Sequence, residues 1–334
     1  MEKEDIRIRK VIIHILDTQT GQAIYSDTEM DAGPDFKDFL KGHIYRVLES
    51  DEKKKSRFQE FSEAAGWIEQ LNAGNFVTIS FYLASSLYGI MNSNIDIPAA
   101  DLLLVIFEAE SEKYLAILKM NYKRSYTHRE LPGAGKNVDI AVQKATLPGS
   151  GAKISEAAIV NLKNRDELYV LEKRYEINGV KTNYFSEIFL QCRTNRSEKE
   201  KLNIVQRTIK NVQQKYYADD SPKREIEAAK TMNRALMENG EIDTKELIGQ
   251  TLEGKEMQQE AIELLERYGL GNSTIQPENE NTRKKLYFQT LKTDTGIELK
   301  IPIQEFERDS IQFMDCEDGT MQMLIGNFGR VERR

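Results

Sequence analysis

Two clusters in the chain interleave lysine and arginine with side chains suited to a polyanion. In the first, Lys119, Lys123, Arg124 and Arg129 are mixed with Tyr122, Tyr126 and His128. Cationic side chains neutralise phosphate oxygens, and aromatic rings offer faces on which bases stack. The same stretch begins with apolar Tyr114 to Leu118, so it also reads as a core strand whose exit turns polar. The second cluster lies at the start of a helical pattern. At ~100° per residue, Leu202, Val205, Ile209, Val212 and Tyr216 form one stripe, while Arg196, Lys199, Asn203, Arg207, Lys210 and Gln214 fall opposite, with Glu200 near that face. Such a face suits phosphate contact, and it equally suits plain solvation.

Other chemistries find less support. Leu131-Pro132-Gly133-Ala134-Gly135-Lys136 resembles a phosphate loop, but Glu130 and Asn137 stand where that motif needs glycine and a hydroxyl. His14, His43 and His128 are isolated, with no metal-ligand spacing; His14 sits in an apolar strand and His43 is expected at the surface of a helix. Ser80, Ser85 and Ser86 lack a nucleophile elbow. No carboxylate pair stands out for acid–base work. Cys192 and Cys316 are far apart and read as reduced, partly buried thiols. No catalytic residue, metal or cofactor is therefore expected.

The elements that must position these clusters follow from periodicity. The chain has 334 residues, 40% hydrophobic and 30% charged, with a net charge of −7. That balance fits a folded chain and argues against a small basic protein that coats DNA by bulk charge. Positive charge must then be gathered locally. Lys113 to Lys136 holds six bases against one acid, and Arg193 to Arg234 holds eleven against six; Ala235 to Leu270 reverses the sign, with nine acids against three bases. No apolar run is long enough for a membrane span, and the charged N-terminus is unlike a signal peptide, so the cytoplasm is the expected compartment.

Strands are expected at Val11–Leu16, Ala23–Ser26, Leu102–Phe107, Tyr114–Met120, Ile154–Leu162 and Leu168–Lys173, with a hairpin at Glu110-Ser111-Glu112. Helical spacing covers Phe36–Leu48 and Phe76–Met91, and 50–56 is expected as a loop or solvated helix end. Ser197 with Glu200 has capping-box spacing, Ser221-Pro222 to Asn239-Gly240 brackets a helix, and Asp243 with Glu246 starts another. Strands are expected again at Lys285–Leu291, Ile297–Ile303, Ser310–Met314 and Met321–Ile325. The fold class is α+β: a mixed core domain over 1–192, a helical segment over 193–271, a linker over 272–281 and a β-rich segment over 282–334.

Asn183-Tyr184-Phe185-Ser186-Glu187-Ile188-Phe189-Leu190-Gln191-Cys192 resembles the Y-F-x-x-F-L-G-C motif of the bacterial 37-kDa nucleoid-associated protein family. Ala99–Val105 with Tyr114–Leu118 is similar to that family's paired hydrophobic strands, and Ile159–Leu162 to its R-I-N-L strand. Val11–Leu16, the helical middle and the β-rich end come in the family's order, and the mass of 38.4 kDa is close to its nominal size. Gln191 stands where the motif has glycine, and the ending Ile325–Val331 lacks the family's proline. The resemblance implies a non-enzymatic protein of the nucleoid that binds DNA, expected to be duplex with low sequence specificity, and it transfers no catalytic residues. A protein-interaction adaptor gripping a DNA-processing enzyme is the alternative. No membrane partner is expected, and a homo-oligomer is left open.

Overall fold

The computed structural model describes all residues except 1, 131–137, 165, 178, 218–221, 309, 327–328 and 331–334. The fold is mixed α+β and divides into two compact units, Met1–Arg196 and Ser197–Arg334. The phosphate-loop-like residues 131–136, the start of the Ser221-Pro222 helix and part of the Ile325–Val331 ending lie outside the described residues.

The first unit runs β1 (Arg7–Asp17), β2 (Gln22–Tyr25), α1 (Pro34–Leu48), β3 (Lys54–Phe58), α2 (Glu63–Glu69) and α3 (Phe76–Asn92). It continues with β4 (Ala100–Ala109), β5 (Glu112–Asn121), β6 (Lys123–Glu130), β7 (Val138–Thr146), β8 (Glu156–Asn161) and β9 (Leu168–Leu171). β10 (Tyr175–Ile177), β11 (Val180–Thr182) and β12 (Cys192–Thr194) complete it. Eight strands form one antiparallel sheet in the order β12-β3-β9-β8-β5-β4-β1-β2.

Both faces of that sheet are covered. Leu102, Leu104, Leu115 and Ile117 pack with Phe76, Leu83 and Leu87 of α3 and with Phe185 and Phe189. The alternate residues Leu103, Val105, Ala116 and Leu118 pack with Leu40, Ile44 and Val47 of α1. Burial on both sides is why β4 and β5 read as unbroken apolar runs instead of alternating ones. They join through Glu110 and Ser111, both at positive φ (50° and 68°), the two-residue turn whose twist matches flanking strands.

Residues 50–53 form the expected loop after α1, but 54–56 do not continue it. Lys54 to Phe58 is β3, joined to β9 and β12, with Ser56 buried and Lys55 and Arg57 exposed. A strand with only one small inward residue carries too little apolar signal to show in the sequence. His43 is also buried and not at the surface, packed edge-on against Phe39 at 4.5 Å.

The second unit contains α4 (Glu198–Tyr216), α5 (Pro222–Asn239), β13 (Ile242–Asp243), α6 (Thr244–Thr251), α7 (Lys255–Glu266), β14 (Thr274–Ile275) and α8 (Glu280–Leu286). β15 (Phe288–Lys292), β16 (Glu298–Pro302), α9 (Ile303–Glu307), β17 (Ile311–Asp315) and β18 (Met321–Ile325) follow. The α4 stripe Leu202, Val205, Ile209 and Val212 is buried against α5, α6 and α7. Ser197 and Asp243 cap α4 and α6 by accepting from Glu200 N and Glu246 N. The stretch 272–281 is not a free linker: Ile275 is fully buried, β14 pairs with β13, and Asn279 caps α8. The first part of the expected Lys285–Leu291 strand is the end of α8, and the strand itself starts at Phe288.

Gln191 keeps a left-handed backbone, φ 50°, at the position where the family motif has glycine. Its side chain offsets part of the cost by accepting from Glu63 N at 2.8 Å, at the start of α2. Gln191→Ala keeps the strain of about 1–2 kcal/mol and loses the bond, so chemical denaturation should show it destabilised; Gln191→Gly removes both together and should lie near the parent.

His14 is fully buried, accepts from Ser26 N at Nδ1 (3.2 Å) and meets Ser80 Oγ through Nε2 at 3.0 Å, an arrangement for the neutral ring. Burial pulls its pKa down to about 4, and does the same to His43. Between pH 6.5 and 4 the unfolded chain therefore binds protons that the folded chain refuses. Unfolding free energy should hold above pH 6.5, fall as pH drops toward 4, and fall less steeply in His14→Gln, measured by urea titration at each pH.

Candidate nucleic-acid interface

The polar continuation of β5 forms a structure of its own. β6 and β7 pair as a separate antiparallel ribbon, with Tyr126 opposite Val142, His128 opposite Ile140 and Arg129 opposite Asp139. None of its described residues is buried. Tyr126 is 74% exposed, and Val138, Ile140 and Val142 on the same face are also exposed. Cross-strand aromatic and β-branched pairs such as Tyr126 with Val142 hold the two strands together.

Lys123, Arg124 and Lys144 are exposed on this ribbon, and no carboxylate contact is recorded for them among the described residues. Arg129 is different: its guanidinium holds Asp139, with Nη2 2.7 Å and Nε 3.1 Å from Oδ2. Both partners are substantially exposed, so the pair is a weak one that a phosphate can contest.

Lys119 corrects the sequence expectation. It lies on β5 with no exposed surface, and its ammonium reaches Pro98 O at 3.1 Å, Asn121 Oδ1, and Glu156 at 3.9 Å. Asn121 Nδ2 in turn donates to Glu156 Oε2 at 3.0 Å. Burial lowers the Lys119 pKa to about 8, with Glu156 acting in the opposite direction. A lysine enclosed in this way cannot touch a phosphate; it belongs to the framework at the root of the ribbon. Beside it, Tyr122 donates to Asp101 Oδ1 at 2.9 Å, and burial raises the pKa of both groups.

The basic face of α4 is largely compensated. Lys210 pairs with Glu225 at 2.6 Å, Lys201 with Glu198 at 2.6 Å, and Lys215 with Glu260 at 2.7 Å. Lys199 is half-buried and makes contacts within the protein. Arg207 is exposed, without a recorded carboxylate partner among the described residues. Arg196 is exposed at the end of the first unit and also engages other groups. The arrangement thus brings Lys123, Arg124, Tyr126 and Arg129 together on one ribbon, adds Lys144, which the sequence reading missed, and leaves the α4 residues mostly engaged.

Cys192 is buried, its thiol pushed up to about 12 by burial, and neither cysteine is in a disulfide. Among the described residues no group of histidine, cysteine and carboxylate side chains is arranged to hold a metal, and no helix is long and apolar enough to cross a membrane.

These features define an α+β protein that carries exposed positive charge on a solvated ribbon. A model of the family described as nucleoid-associated protein YejK matches residues 12–332, and the chain belongs to that nucleoid-associated family. No curated protein matches it. The segment Phe185–Phe189 forms a wide π turn, closed by Leu190 N donating to Phe185 O at 3.0 Å.

Removing Lys119 should act on stability and not on a surface. Lys119→Met leaves Glu156 without its buried cation and should cost about 3–5 kcal/mol in urea unfolding. Lys119→Met with Glu156→Gln should recover much of that loss.

Proposed function

We propose that this nucleoid-associated protein binds duplex DNA directly, without catalysing a reaction, through phosphate-backbone contacts centred on the β6–β7 ribbon. The observation that carries this is the exposure of Lys123, Arg124 and Lys144 on one ribbon, without a carboxylate partner among the described residues, on a protein of net charge −7. A two-stranded ribbon is narrow enough for a DNA groove. Lys123 and Arg124 supply the main electrostatic contacts, with Arg129 joining when phosphate replaces Asp139. Tyr126 lies against sugar or base. Arg207, with Lys210, Lys199 and Arg196, contributes less, because neighbouring groups already engage most of that set. Contacts of this kind carry little base readout.

The adaptor reading, in which the protein reaches the nucleoid by gripping a DNA-processing enzyme, is favoured by one observation. Ala235 to Leu270 carries nine acids against three bases, a surface suited to a basic partner.

A mobility-shift titration with protein freed of nucleic acid separates the two. Direct contact predicts binding without a partner, with affinity falling steeply as salt rises. Lys123→Glu with Arg124→Glu should shrink the slope of log K against log salt by about 2, and Arg207→Glu by about 1 or less. A shift seen only when a partner is added supports the adaptor, and a salt-independent shift overturns the phosphate-contact account.

A further inference from the structure

Away from the ribbon, the edge of the eight-stranded sheet places two arginines face to face. β12 pairs with β3 so that Arg193 stands directly opposite Arg57. Like charges in that register repel, so the fold pays for the pairing unless an anion lies between them. Arg57 has one, Asp166, at 2.9 Å from its Nε, and both side chains are largely exposed. Arg193 is exposed and has no recorded carboxylate partner among the described residues. An exposed pair such as Arg57–Asp166 is weak and readily exchanged for a better anion.

Both arginines line a cleft of about 590 Å³ together with Phe58, Gln59, Glu60 and Phe61. Phe61 is 68% exposed, an unusual place for a large apolar ring. Gln59 adds an amide. Lys55, two residues before Arg57 on the same face of β3, adds a third exposed cation. Glu60 in the lining and Asp166 on Arg57 bring negative charge beside the arginines, so the cleft discriminates by geometry more than by net charge. Paired guanidinium forks suit the planar, bidentate recognition of phosphate oxygens, and an aromatic face beside them suits a base. Neither arginine nor the phenylalanine belongs to the ribbon.

We propose that the Arg57–Arg193 cleft binds a nucleotide: its phosphate between the two arginines and its base on Phe61. The nucleotide comes either free or as a unit of a single strand. This goes beyond the duplex contact of the ribbon and does not require it.

The test uses the full-length chain and two probes, thymidine monophosphate by calorimetry and a fluorescein-labelled eight-residue oligothymidylate by anisotropy. Arg193→Ala should weaken binding by about tenfold or more, as loss of a charged hydrogen bond does, and Phe61→Ala by about fivefold or more, as loss of a stacking face does. All three positions are exposed, and an unchanged thermal midpoint verifies folding of each variant. Binding of the monophosphate identifies a free nucleotide as the source. Binding of the oligonucleotide alone identifies a strand. The proposal is overturned if the parent binds neither probe, or if Arg57→Ala/Arg193→Ala binds them as the parent does. The Lys123→Glu/Arg124→Glu protein should retain both probes while binding duplex DNA more weakly, so the ribbon and the cleft fail or stand separately.

Discussion

A sheet covered on both faces can hold a charge only where other groups satisfy it, and this condition organises the first unit. β4 and β5 run between two apolar layers, one built on α3 and the π turn, the other on α1. Lys119 and Glu156 enter that environment as a pair, tied to Asn121 and to the Pro98 carbonyl. Unpaired, either ion would cost several kcal/mol. The cluster sits at the last residues of β5, immediately before the chain leaves the core. With the Tyr122–Asp101 hydrogen bond it fixes where and in which direction the ribbon starts. Positive charge on the ribbon therefore projects from a root held by buried hydrogen bonds, although none of the ribbon's described residues is itself buried.

Charge on the rest of the molecule is arranged differently. In the second unit, basic side chains of α4 face acids of α5 and α7, as in Lys210–Glu225 and Lys215–Glu260. A linear excess of lysine and arginine along Arg193 to Arg234 thus becomes a near-balanced surface once the helices pack. Charge that counts toward an external polyanion is what remains after such pairing. By that measure Lys123 and Arg124 count in the stretch from Lys113 to Lys136, whereas Lys119, enclosed with Glu156, does not, and Arg129, held by Asp139, counts less.

How much of this could be read from the residues depended on whether one segment's own pattern decided its fate. Leu102–Phe107 and Tyr114–Met120 were legible as strands because burial on both faces leaves an uninterrupted apolar run. The α4 stripe was legible because one buried face repeats at helical spacing. β3 was not, since Lys54-Lys55-Ser56-Arg57-Phe58 gains its strand conformation from β9 and β12, both distant in sequence. Lys119 was misjudged for a related reason. Its partner Glu156 is 37 residues away, and nothing local distinguishes a paired buried lysine from a solvent-facing one. The ribbon was half legible: Lys123 to Arg129 stood out by residue type, but Val138 to Thr146, which completes it and adds Lys144, carries no chemical signature alone.

The segment that carries the family resemblance shows why identity and chemistry need not coincide. Tyr184, Phe185, Phe189 and Leu190 are buried, and Ser62 Oγ donates to the Leu190 carbonyl at 2.7 Å while capping α2. None of these side chains faces an external ligand. What they do is set the edge of the sheet: the π turn leads out of the core, Gln191 turns the backbone at positive φ, and Cys192 then enters β12 against Phe58. One residue further along, that register places Arg193 opposite Arg57. A shift of a single residue would turn Arg193 toward the apolar layer and bring Cys192 out, because side chains alternate along a strand. The buried motif thus determines which residue reaches the cleft, even though it contributes no group to it.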